Sequence, residues 1–441
     1  MEEDTMKKRI NLSLFCIVLL ISGLLGSTIA FAGGSTAGGA VPVPTVEDTT
    51  AAINTVSVRK DLIFVNDATS NVREPNITYT YTISAVTVPA TAPQVTTNDA
   101  GPVPVKSGDA TAIVNATDTI QFADTTAEPS SAAGVAATRY ANFTFDPTKF
   151  AGPGIYRYAI VETTDKQKAT LGIEAAATYA DTRYLDVYVR KTSETDPTLL
   201  IYGYTLFKTD NAYSFSSKTG EELNLDKKSS GYVNISSTAG SFEDVDVYRT
   251  QDLTVSKTTT GLLADKENNF PVAITVTLPS AVTQTIKYDV ALESNATLSD
   301  TTTDTIGSYV NSQATAYSGS VENESKIKIK GIPQGASVVL AEQNNTPDTY
   351  KVSATAIVGS ATATEVLAEE SVAAGGNSSS TTATVMSSNT TISITNKLEL
   401  ISPTGYVARF APYALILVGG ILLIVFGRTA ISRTSKKRKE A

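Results

Sequence analysis

Short runs in which apolar and polar residues alternate recur along most of the chain. They include ITYTYTIS (77–84), ANFTFD (141–146), YRYAIVET (156–163), YLDVYV (184–189), LTVSK (253–257) and VAITVTL (272–278). IKYDVAL (286–292), KIKIKGI (326–332), SVVLAE (337–342), TYKVSATA (349–356) and TISITN (391–396) continue the series. A period of two, carried by β-branched and aromatic residues and broken by Gly, Pro, Asn and Asp, predicts strands with one buried face. Only Ala361 to Ala374 suggests a helical turn or two, and Asn377 to Thr391 reads as a polar loop before the last strand. The expected class is all-β, as tandem immunoglobulin-like β-sandwiches. Unit one spans residues 50–250 and unit two residues 251–399.

Two apolar stretches break this pattern. Ile10 to Ile29 follows Lys7, Lys8 and Arg9 and leads to Ala30-Phe31-Ala32 before Gly33. That is the layout of a secretory signal over residues 1–32, cleaved after Ala32, with a small-residue linker at 33–49. Phe410 to Gly427 carries no charge and is followed by Arg428, Arg433, Lys436, Lys437, Arg438 and Lys439. At about 18 residues it is just long enough to span a bilayer. The basic tail at 428–441 then belongs in the cytoplasm and the strand-rich part outside it. The expected location is the cell surface, by way of a membrane-anchored precursor.

Composition narrows the chemistry. There is no His and no Trp, and the one cysteine, Cys16, lies in the signal. A mature chain without thiols has no disulfides, and His- or Cys-based metal sites and His-dependent triads are ruled out. No cofactor is expected. The formal charge of −9, with the densest basic cluster at the tail, argues against nucleic acid as a partner.

The two-residue period also assigns faces. Lys257 shares a face with Leu253 and Val255, Glu342 with Val338 and Leu340, and Asn396 with Ile392 and Ile394. In unit one, Lys60 aligns with Val56 and Val58, and Glu162 with Tyr158 and Ile160. A core-facing lysine is costly unless paired or neutralised. It can be a buried ion pair, or a strand-end residue that reaches solvent. A third possibility is chemistry. Burial lowers a lysine pKa and raises a glutamate pKa, so a neutral amine could face an Asn carbonyl polarised by a protonated Glu. Attack and loss of ammonia would leave a Lys–Asn isopeptide bond, made once within one chain, with the Glu as proton shuttle. Such single-turnover crosslinking is not enzyme activity in the usual sense.

LTVSKTTTG with VVLAEQ and ISITNK resembles the isopeptide domains of Gram-positive major pilins, the streptococcal FctA type. The resemblance covers both units as short motifs. It implies CnaB-like β-sandwich domains with Lys257, Glu342 and Asn396 as crosslinking set in unit two. In unit one, VSVRKDLIF supplies Lys60, YRYAIVETTD supplies Glu162, and DVDVYRT places Asp246 at the Asn position. An Asp there would lose water instead of ammonia. Asp244, two residues earlier, would share its face.

The C-terminal layout agrees. Ile401-Ser-Pro-Thr-Gly405, then the apolar run, then the basic tail, resembles a sortase sorting signal of the pilin variant with Pro directly before Thr-Gly. This implies cleavage between Thr404 and Gly405 and transfer of the Thr404 carbonyl to an amine. A lysine on another copy would make an open head-to-tail filament, and a cell-wall peptide would anchor single copies. Lys227 and Lys228, in LNLDKKSSGYV, are the candidate acceptors, expected in a polar turn. The expected partners are a sortase and other pilin subunits or peptidoglycan. The alternative is a monomeric wall-anchored adhesin that binds host surface molecules.

Overall fold

A computed structural model describes residues 53–68, 70–88, 94–97, 101–163, 168–208, 228–300, 308–309, 314–399 and 415–422. The alternating runs form strands, and the strands form two β-sandwiches. The expected signal and linker (1–49), Lys227 and the Thr404–Gly405 motif lie outside the described residues. Of the expected membrane segment only residues 415–422 are described, and they are helical. Among the described residues no helix is long and apolar enough to cross a membrane.

In the first sandwich the opening strand Thr55–Val65 pairs antiparallel with Val135–Thr144 and parallel with Asp246–Thr260. The facing sheet runs in the order Lys228–Ser229, Leu199–Phe207, Thr182–Lys191, Gly154–Glu162, Ile77–Ala85, Thr117–Phe122. Its Ile77, Tyr79, Tyr81 and Ile83 project alternately into the core, as the period of two requires. Lys228 therefore opens a two-residue strand paired with Phe207, where a turn was expected.

The second sandwich begins on the same strand. Asp246–Thr260 pairs parallel with Thr390–Lys397 and antiparallel with Lys326–Pro333. Opposite lie Thr297–Asp300, Ala314–Val321, Phe270–Thr277, Ser337–Glu342 and Thr384–Val385. The 250/251 division read from the sequence thus falls inside one continuous 15-residue strand. The partner change is marked by a register shift between Gln251 and Leu253. Asp252 holds that point. Its carboxylate accepts from Asn66 Nδ2 at 2.9 Å, from the Gly331 N–H at 3.1 Å and from Ser70 Oγ at 3.3 Å.

The helical turn expected within Ala361–Ala374 is a strand, Thr364–Val372, on the edge of the second sandwich. Its ladder with Tyr350–Val358 carries two register shifts. A bulge lets neighbouring residues Val366 and Leu367 both face inward, which erases the alternation that identifies a strand. The polar loop before the last strand is ordered along Ser337–Glu342. The Ser378 N–H donates to the Glu342 carbonyl and the Thr381 N–H to the Leu340 carbonyl. This loop covers strand groups that would otherwise be an open edge.

Candidate functional site: two buried lysine–carbonyl–glutamate clusters

Each inward-facing residue expected from the alternation lies in a sandwich interior. In unit two, Lys257, Glu342 and Asn396 are at most 3% exposed. Lys257 and Asn396 stand on neighbouring parallel strands, and Asn396 pairs with Thr259, two residues beyond Lys257. Glu342 comes from the opposite sheet, where it pairs with Val272. The Lys257 ammonium donates to Glu342 Oε2, and Asn396 Nδ2 donates to Glu342 Oε1 at 2.6 Å. Beneath the amine lies the Phe270 ring, 4.3 Å from Nζ to its centroid.

This environment disfavours charge on the lysine. Burial pulls the Lys257 pKa down from 10.5 to about 8, although Glu342 pulls the other way. An uncharged Lys257 amine would then share one buried cluster with the Asn396 amide, both held by Glu342. Asn396 Oδ1 is buried without a hydrogen-bond partner. A half-turn of the amide would bring that oxygen to Glu342, where a protonated carboxyl can donate to it and polarise the carbonyl.

Unit one repeats the register. Asp246 pairs with Leu62, two residues beyond Lys60, on a neighbouring parallel strand. Glu162 again comes from the facing sheet. Lys60 Nζ lies 2.5 Å from Asp246 Oδ2 and 3.1 Å from Glu162 Oε2. Asp246 is fully buried, and Asp244 does not compete for its face. Asp244 precedes the strand, has a φ of 60°, and pairs with Arg183 at 2.9 Å and Lys208 at 3.2 Å.

The two clusters differ in charge. The expected rise of the glutamate pKa does not occur at Glu162. Burial pushes it up, but the charges of Lys60 and of a second ammonium on Lys168, with the Tyr179 hydroxyl donating to it, outweigh that and hold it well below the usual carboxylate range. Lys168 Nζ lies 2.6 Å from Glu162 Oε1 and 3.2 Å from Asp246 Oδ2. Unit one therefore holds two cations against two anions in one enclosed site.

Residues 251–397 match a family model described as a domain of unknown function (DUF7601). The chain is similar in fold to solved structures of pilus proteins. One is the major pilin from Streptococcus pyogenes, at 16% identity and a TM-score of 0.39, covering 79% of this chain and 99% of that one. Another is the T-13 major pilin of the same organism, at 20% identity and a TM-score of 0.34, covering 79% and 98%. A third is a pilus-presented adhesin (Cpa), at 16% identity and a TM-score of 0.22, covering 50% and 38%. No characterised protein matches the chain by sequence.

Sequence reasoning missed the aromatic wall of unit one and Lys168. Tyr81 and Tyr179 hydroxyls donate to Glu162 Oε2 at 2.9 and 2.6 Å, and the rings of Tyr79, Tyr179 and Tyr232 lie within 5.5 Å of Lys60 Nζ. Tyr79 and Tyr81 were legible, since they alternate with Ile77 and Ile83 in one strand. Lys168 was not. It sits at the start of the 3₁₀ turn Ala169–Leu171, where no periodicity betrays a buried side chain.

Proposed function

We propose that this protein is the shaft subunit of a covalent surface pilus, hardened by one Lys257–Asn396 and one Lys60–Asp246 isopeptide bond. The observation that carries this reading is the repeated register: twice, an Asn or Asp pairs with the residue two positions beyond an inward lysine on a parallel neighbour, and that lysine meets a glutamate from the other sheet. A structural ion pair needs no such repetition, and no carbonyl partner at all. The chemistry is a single intramolecular condensation in each unit. It gives an exported chain without disulfides a covalent closure of its own.

The terminal layout supports the assembly half of the reading. A sortase would cleave after Thr404 and pass the Thr404 carbonyl to an amine on a second copy or on peptidoglycan. Lys227 and Lys228 are the proposed intersubunit amines. Such head-to-tail joining is heterologous and leaves the chain of subunits open.

The intact mass of the recombinant ectodomain tests the crosslinks. We expect a deficit of about 35 Da against the sequence mass, about 17 for ammonia and about 18 for water. A mass equal to the sequence mass overturns the reading. Polymerisation is tested on cell-wall extracts under denaturing conditions. A ladder of subunit multiples is expected, abolished by Thr404→Ala; a single band would leave a singly anchored surface protein.

A further inference from the structure

We propose that Lys168 is the resident counterion of an aspartate-type crosslinking site, a positioning residue that unit one needs and unit two does not. This rests on the reading of Lys60 and Asp246 as a crosslinking pair and concerns a residue that reading does not require. The two condensations differ in their proton and charge balance.

In unit two the Nζ–Cγ bond forms between Lys257 and Asn396 and the Cγ–Nδ2 bond breaks. The lysine ammonium sheds two protons. One leaves with the amide nitrogen as ammonia, and the other stays on Glu342. The site starts with one cation and one anion and ends with none, so the buried glutamic acid is neutral and needs no counterion.

In unit one the same bond forms between Lys60 Nζ and Asp246 Cγ, and a Cγ–Oδ bond breaks. Both protons shed by Lys60 leave with the carboxylate oxygen as water. One cation and one anion vanish, but Glu162 has gained no proton and is still a carboxylate, fully enclosed. Without another cation the product would hold an uncompensated buried charge, one of the costliest states in a protein interior. Lys168 is that cation. It stands 2.6 Å from Glu162 Oε1, the oxygen that neither Lys60 nor the tyrosine hydroxyls touch. Among the described residues, unit two has no second lysine at Glu342, whose polar side-chain contacts are Lys257 and Asn396.

The test is peptide mapping of the full chain by mass spectrometry, with the Lys257–Asn396 branched peptide as an internal control for folding. The native chain should give a Lys60–Asp246 branched peptide lighter than its parts by about 18 Da. Lys168→Met should reduce that species at least tenfold and leave the Lys257–Asn396 species intact, and Lys168→Arg should preserve both. Asp246→Asn alone should crosslink poorly, because Lys168 keeps Glu162 from taking the proton that an Asn-type site must store. Combining Lys168→Met with Asp246→Asn should recover a link from Lys60 to the new amide at position 246, with a loss of about 17 Da. A merely structural Lys168 would not produce this reversal. The inference is overturned if Lys168→Met links Lys60 to Asp246 as the native chain does, if the double variant fails to recover the link, or if the native branch point is Lys168 itself. Absence of any unit-one branch in the native chain overturns the crosslinking reading of that unit, and the role of Lys168 with it.

Discussion

The decisive feature at the scale of single residues is the burial of Lys257, which makes its charge unfavourable beside Glu342. Glu342→Ala removes both the proton acceptor for Lys257 and the group that holds Asn396. The variant should therefore regain about 17 Da in intact mass, with the unit-one deficit unchanged. A variant that stays crosslinked would remove Glu342 from the chemistry. The depressed Lys257 pKa has a second consequence, visible once crosslinking is blocked by Asn396→Ala. In the unsubstituted fold Lys257 is lowered from 10.5 to about 8 by burial, and the variant, which keeps that burial, should likewise hold the proton less tightly than its unfolded state. Between those values the unfolded chain binds more protons, so stability rises with pH. Unfolding free energies from urea titrations should increase from pH 8 to 9.5, by at most about 1.4 kcal/mol per pH unit. Asn396→Ala/Lys257→Met should show no such rise. The inward faces of Lys257, Glu342 and Asn396 were legible because each sits in an unbroken period of two, and those of Lys60 and Glu162 because each follows two apolar residues at that spacing, although both of their strands also bury residues of the other face. Lys168 was illegible for the opposite reason, since its burial comes from tertiary enclosure of a turn.

At the scale of elements, the strand Asp246–Thr260 carries most of the design. Its first half closes the first sandwich and its second half opens the second, so Asp246 and Lys257 lie along one continuous strand. The sequence showed the two halves as separate motifs, DVDVYRT and LTVSK, because the intervening Gln251-Asp252 is polar and resembles a break. Those polar residues are where the strand changes partners, and the Asp252 carboxylate takes up groups from both sides of the change. Asp252→Ala would leave the Gly331 N–H and the Asn66 amide without that acceptor, at a cost of about 1–3 kcal/mol. Hydrogen exchange should accelerate at Gly331 and its neighbours, while both mass deficits persist because neither cluster is touched. Loss of a crosslink in this variant would mean that the junction sets the geometry of the clusters. The edge strand Thr364–Val372 marks the opposite limit of pattern reading. A bulge there places Val366 beside Leu367 in the core, and the Ala- and Glu-rich run around them imitates a helix.

At the scale of the whole molecule, the two clusters and the shared strand define a route for tension. Were the proposed bonds formed, a pull would enter by the opening strand, cross from Lys60 to Asp246, follow the shared strand to Lys257, cross to Asn396 and leave past Lys397. With both bonds formed, residues 61–245 and 258–395 lie outside this route, and no hydrogen bond along it has to resist force alone. Each bond also closes a long loop, which by chain entropy disfavours the unfolded state by about 5 kcal/mol. The mechanical effect is the larger one, because a covalent shortcut removes the extension itself. Stretched singly between its ends, the crosslinked ectodomain should show no unfolding step from either sandwich up to forces that break covalent bonds. Glu342→Ala should add one step, with a gain in contour length of about 47 nm, from releasing residues 258–395 at about 3.4 Å each. Glu162→Ala should add a separate, longer step from residues 61–245. If the native ectodomain unfolds in steps of these lengths, the lysines are ion-paired and unlinked, and the route for tension does not exist.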